Sequence, residues 1–167
     1  DKNKTWINLI SLLRELDISL DRCFFSNVFM GLRKSDLKNS GPCPGMRDAA
    51  YRESCKDFLK IQIDTIKPSL IILLGFYPLK MIWETFPDQF DEWRDIRTLR
   101  ALYDENNQKQ VITTSINKQE ITVAFVIHPS LNQANRSKVF GKGNGYKEVE
   151  YLKEKLSGVV KYAQMNG

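Results

Sequence analysis

Lys67-Pro68-Ser69-Leu70-Ile71-Ile72-Leu73-Leu74-Gly75 is the stretch on which the fold reading turns. Pro68 cannot continue a helix, so any helix before it must stop there. Leu70 to Leu74 are apolar without alternation, the pattern of a central parallel strand covered on both faces, and Gly75 ends the run. Upstream, Tyr51, Cys55, Phe58, Leu59, Ile63 and Ile66 share one helical face behind Asp48, a good N-cap, which predicts a helix from Asp48 to Lys67. Downstream, Leu79 to Phe86 has helical character, and Asp88 to Asn106 has no clear period. Val111 to Thr114 and Ile121 to Ile127 flank a turn containing Asn117, which predicts a hairpin leading into a buried strand. His128-Pro129-Ser130 breaks that strand abruptly.

Towards the ends, Trp6, Leu9, Ile10, Leu13 and Leu16 recur at helical spacing behind Thr5, predicting an amphipathic first helix. Cys23 to Phe29 reads as a short strand with polar Asn27 at its end. A breaker-rich loop with Gly31, Ser40-Gly41-Pro42 and Pro44-Gly45 follows it. Leu131 to Gly145 is polar, basic and glycine-rich, and Val149, Leu152, Leu156 and Val159 predict a closing helix from about Tyr146 to Tyr162. Strands alternating with helices predict one α/β layered domain over residues 1–167, with ligand chemistry at the carboxyl ends of the strands.

A hydrophobic fraction of 42% is enough for a core, and a net charge of +5 suits an anionic partner without proving one. Leu70 to Phe76 is far too short to span a bilayer, and no apolar segment opens the chain as a signal peptide would. No membrane partner is expected, and the expected location is cytoplasmic, nucleoid-associated, or nuclear. Cys23, Cys43 and Cys55 are odd in number and lack a Cys-x-x-Cys pairing, so neither a disulfide framework nor a metal site is expected.

Two strand ends carry the candidate chemistry. His128, the single histidine, stands where a buried strand meets a proline-fixed turn, and Asn27 ends the earlier strand. Each has a plain structural alternative, a hydrogen-bonded strand-end histidine and a turn-capping asparagine. The amides and cations from Leu131 to Lys138 suit phosphates and base edges, as do those of many solvated loops. Gly141 to Gly145 lacks P-loop spacing and reads as a hinge as readily as a phosphate contact.

Taken in order, Phe24-Phe25-Ser26-Asn27-Val28, the segment from Cys55 through Gly75, and Ile127-His128-Pro129-Ser130 make the chain resemble the uracil-DNA glycosylase superfamily over about Leu9 to Leu156. The specific parts are the His-Pro-Ser turn after a buried strand and the Lys-Pro-x-x-Ile-x-x-Leu-Gly run. The resemblance implies a three-layer α/β/α fold around a mainly parallel four-stranded sheet, with matching strands near 22–28, 69–75 and 121–128. It implies a DNA-repair enzyme that flips uracil, or a related deaminated base, out of DNA and hydrolyses its glycosidic bond without cofactor or metal. Asn27 would pair with N3–H and O4 of uracil, with Phe25 a candidate pocket aromatic. His128 would donate to O2, stabilising the departing uracil anion. Ser130 would contact a phosphate, Leu131 or its neighbours would enter the helix, Asn132 would also bind DNA, and Arg136 would assist the grip.

Two departures qualify the likeness. Cys55 aligns with a cluster ligand of the iron–sulfur branch, yet Gly31 stands where that branch has another, so no cluster is expected. The family's Gly- and Pro-rich motif, which ends the first strand and supplies the Asp or Asn that positions water, should precede the first helix, and only five residues precede Trp6. The expectation is therefore an upstream segment that carries this strand and turn, placed inside the sheet beside the Asn27 strand. Two other functions stay open: a non-catalytic module of this fold binding uracil-DNA or a protein, and a small-molecule-binding α/β domain.

Overall fold

The computed structural model describes residues 4–30, 44–102, 109–130 and 147–165. Helix α1 covers Lys4–Glu15, α2 Ala49–Ile66, α3 Phe76–Thr85, the single-turn α4 Leu99–Leu102, and α5 Lys147–Met165. Strands β1 (Leu70–Leu74), β2 (Val111–Ile116) and β3 (Gln119–Val126) form one sheet in the order β1-β3-β2. The mixed α/β class expected from the alternation holds. No helix among the described residues is long and apolar enough to cross a membrane.

Local chemistry explains why the elements start and stop where they do. The Asp48 carboxylate accepts the Tyr51 N–H at 3.0 Å, satisfying one of the four otherwise unpaired donors at the start of α2. At the other end Lys67 takes the left-handed conformation, φ 50° and ψ 56°, and returns its N–H to the Ile63 carbonyl. Pro68 then prevents any further turn. The β2–β3 hairpin closes on Asn117 and Lys118, at φ 51° and 66°, the positive values that a two-residue hairpin turn of matching twist requires.

The sheet is mixed. β1 runs parallel to β3, with Leu70 opposite Thr122 and Leu74 opposite Val126, and β2 runs antiparallel to β3. The alternating side chains of β3 supply both cores. Ile121, Val123, Phe125 and Ile127 face Ile63 of α2, Leu79 and Ile82 of α3, and the stacked Phe90 and Trp93, whose centroids lie 5.1 Å apart. Ala124 and Val126 face Leu12 and Leu16 at the α1 end and Leu152, Leu156 and Val160 of α5. Each fully buried residue of this size contributes about 1.5–3 kcal/mol relative to exposure, which makes β3 the element the two layers share.

Two sequence expectations are corrected. The run Leu70 to Leu74 is covered on both faces, but among the described residues the central strand is β3, with every residue from Ile121 to Ile127 buried, while β1 is mostly half-buried. An unbroken apolar run reports covered faces, not neighbouring strands, so it could not separate these positions. Residues 22–28 do not form a strand. Leu20–Arg22 is a 3-10 turn, and 23–27 has no regular structure. The β-branched and aromatic residues there pair with no described strand, and strand propensity without pairing is not enough to make one. The segment instead crosses between layers: Phe25 meets Trp6 of α1 edge-on at 5.0 Å, and Ser26 exchanges hydrogen bonds with Gln62 of α2.

Candidate functional site

The carboxyl ends of β1 and β3 lie side by side, and two residues meet there. His128 leaves the end of β3, and Gly75 ends β1 and caps α3. The Gly75 N–H donates to the Val126 carbonyl at 2.9 Å, closing the parallel ladder at its last rung. The backbone of Gly75 then turns at φ 89° and ψ 178°, a conformation essentially confined to glycine. A Cβ at this position would stand 3.1 Å from the His128 Cβ and 3.6 Å from its Cδ2, so the imidazole rests against the missing side chain of Gly75. The bare backbone permits this approach, and it sets the ring beside the positive end of α3.

The turn after β3 orients the ring. The Ser130 N–H donates to His128 Nδ1 at 3.2 Å, which makes Nδ1 an acceptor. The Ser130 hydroxyl, 2.7 Å away, must then donate to the same nitrogen. A neutral imidazole that accepts at Nδ1 carries its proton on Nε2, so Nε2–H is the ring's donor. Partial burial pushes the His128 pKa below its ordinary 6.5, favouring that neutral form, although the residue as a whole remains exposed. Pro129 between them is buried. Its carbonyl accepts from the Asn8 side-chain amide of α1 at 2.8 Å, pinning the turn to the opposite layer.

The candidate residues are thus brought together unequally. His128 and Ser130 form one unit, with the serine hydroxyl engaged by the histidine. Asn27 and Phe25 lie exposed on the irregular segment, and no hydrogen bond or ring contact among the described residues joins either to His128. α1 is the link between the two regions, holding Phe25 through Trp6 and the His128 turn through Asn8. Leu131, Asn132 and Arg136 lie outside the described residues. Cys55 is buried in α2, and the described residues contain no group of three or more His, Cys, Asp or Glu able to hold a metal ion.

Sequence reasoning missed Gly75 and Asn8 as supports of this site. For Gly75 the signal was present, a glycine closing a buried strand before a helix. For Asn8 there was none, because its contact spans 121 positions. A shallow cleft lies elsewhere, lined by Phe29, Arg52, Tyr77, Lys80 and Glu84 among others, and holds none of the candidate residues. That cleft and the histidine are separate; the tautomer-fixed donor, not this cleft, is the feature with a defined chemical capacity. No protein-family model matches the chain, and no curated protein matches it.

Proposed function

We propose that this domain is a uracil-DNA glycosylase-type hydrolase that removes uracil, or a related deaminated base, from DNA, with His128 as the donor to the departing base. The observation that carries the reading is the double contact from Ser130 to His128 Nδ1, which leaves Nε2–H as a fixed neutral donor at a strand end. Glycosidic cleavage generates a sugar cation and a uracil anion. A preorganised donor aimed at the anion acts mainly as the bond breaks and so lowers the barrier rather than only tightening binding. A neutral histidine suits this role, since its hydrogen bond strengthens as charge develops on the base oxygen.

Asn27 supplies base choice in this reading. Its exposed amide matches the donor and acceptor pattern of uracil's edge and mismatches that of cytosine, which would leave polar groups unpaired. The net charge of +5 suits a DNA partner. The four-stranded sheet of the superfamily belongs to the proposal as well. The bonds from Thr122 N–H to the Ser69 carbonyl and from Gly75 N–H to the Val126 carbonyl fix the phase of the β1 ladder. The alternate residues Leu70, Ile72 and Leu74 therefore turn their backbone groups to the outer edge of β1, where no described strand pairs with them. That edge is the place a fourth strand would occupy.

The test is incubation with a uracil-containing oligonucleotide followed by alkaline treatment, which cuts at abasic sites. Scission at the uracil and at no other base is the expected result. Salt-sensitive binding to the same DNA without scission would turn the reading to the non-catalytic module. Absence of both would leave the small-molecule domain.

A further inference from the structure

β3 runs past its partner. β2 begins at Val111, opposite Ala124, and beyond that rung the odd-numbered residues of β3 still face the side on which β2 has not yet started. Side chains take over there. The Gln110 carbonyl accepts from the Phe125 N–H at 2.8 Å, and the Gln110 side-chain amide donates to the Phe125 carbonyl at 2.9 Å. The next donor along the edge, the Ile127 N–H, meets a carboxylate: Glu148 Oε1 accepts it at 3.0 Å and also accepts from the Gln110 amide at 3.4 Å. Glu148 lies in the first turn of α5 and is 1% exposed.

A carboxylate is costly to bury, and nothing in the amphipathic pattern of α5 calls for one on its inner face. What it accomplishes is specific. It takes up the Ile127 N–H beyond the described end of β2, holding Ile127 extended so that the chain leaves the sheet at His128 and not before. It sits where the helix dipole favours negative charge, and the Ile127 N–H and the Gln110 amide converge on one of its oxygens.

We propose that Glu148 is a positioning residue for His128: its carboxylate fixes the Ile127 N–H and thereby the direction in which the His128 Nε2–H donor points. Its catalytic consequence rests on the function proposed above; its geometric consequence does not. The experiment therefore reads both, using Glu148→Leu, which removes the acceptor, and Glu148→Gln, whose amide oxygen can still take both donors. Two readouts are collected on the folded protein: the nitrogen chemical shifts of the single histidine ring, which report its tautomer and its contact with Ser130, and the single-turnover rate of uracil excision.

In Glu148→Leu the ring nitrogens are expected to move towards the averaged values of a free imidazole, and excision to slow by about 10- to 100-fold, the scale of a sub-ångström to 1 Å misplacement. Glu148→Gln should restore the wild-type ring signals and most of the rate. Should the leucine variant fail to fold, Gln110→Met tests the same network from its other side and should shift the ring signals in the same direction, by less. Wild-type ring signals in either Glu148→Leu or Gln110→Met would overturn the inference. Displaced ring signals in a protein with no excision activity at all would uphold the positioning and defeat the functional reading instead.

Discussion

Replacing Gly75 by alanine probes the contact on which the site is built. The new methyl group would enter at 3.1 Å from the His128 Cβ and 3.7 Å from its Cγ, and the backbone would have to hold φ 89°, where side chains are rarely tolerated. Backbone strain of that kind costs about 1–3 kcal/mol. For a chain of this size each kcal/mol lowers the melting temperature by about 2–4 °C, so a fall of about 2–12 °C is expected. The histidine must also give way, because the glycine is anchored by its bond to Val126, and uracil excision should fall further than uracil-DNA affinity. Gly158→Ala is the matched control: it lies within α5, a Cβ there meets nothing within 4 Å, and the substitution should stabilise by about 0.5–1 kcal/mol. Differential scanning calorimetry with single-turnover excision measures both. A Gly75→Ala variant that melts with the wild type and excises at its rate would refute the reasoning.

Asp48→Ala removes the cap of α2 and should cost about 1 kcal/mol in urea unfolding, an expectation that fails if the midpoint does not move. Asn27→Asp presents an acceptor where the amide presented a donor, so activity should shift from uracil towards cytosine, as assayed on matched oligonucleotides; full uracil activity with no gain on cytosine would remove Asn27 from the pocket. The pH dependence follows from His128. Its folded pKa lies below the ordinary 6.5, so between the two values the unfolded chain binds more protons. The stability this group contributes is complete above pH 6.5 and is lost as pH falls through the folded value. Protonation of Nδ1 also breaks its bond from the Ser130 N–H, so excision should decline in that same acidic window, and a decline centred above pH 6.5 would contradict the assignment.

What the sequence made legible is what local chemistry determines. The α2 cap at Asp48, the stop at Lys67-Pro68, the β1 run and the hairpin around Asn117 each depend on residues within a few positions of one another, and all are found. Strand pairing is not local. Residues 23–27 have strand composition but pair with no strand, and β1 has the composition of a central strand but lies at the margin of the described sheet. The candidate site divides in the same way. His128 was legible as a strand-end candidate, but Ser130, read from the sequence as a phosphate contact, bonds the histidine, and Asn8, Gln110 and Glu148 support the turn across distances in sequence that no pattern spans.

The most direct test of the central claim is the single-turnover rate of uracil excision by the wild-type chain and by His128→Ala, measured alongside the affinity of each for the same uracil-DNA. Loss of one donor to a developing anion should lower the rate by about 10²–10³ while binding changes little. Equal rates in the two proteins, or no excision by the wild type, would contradict the account.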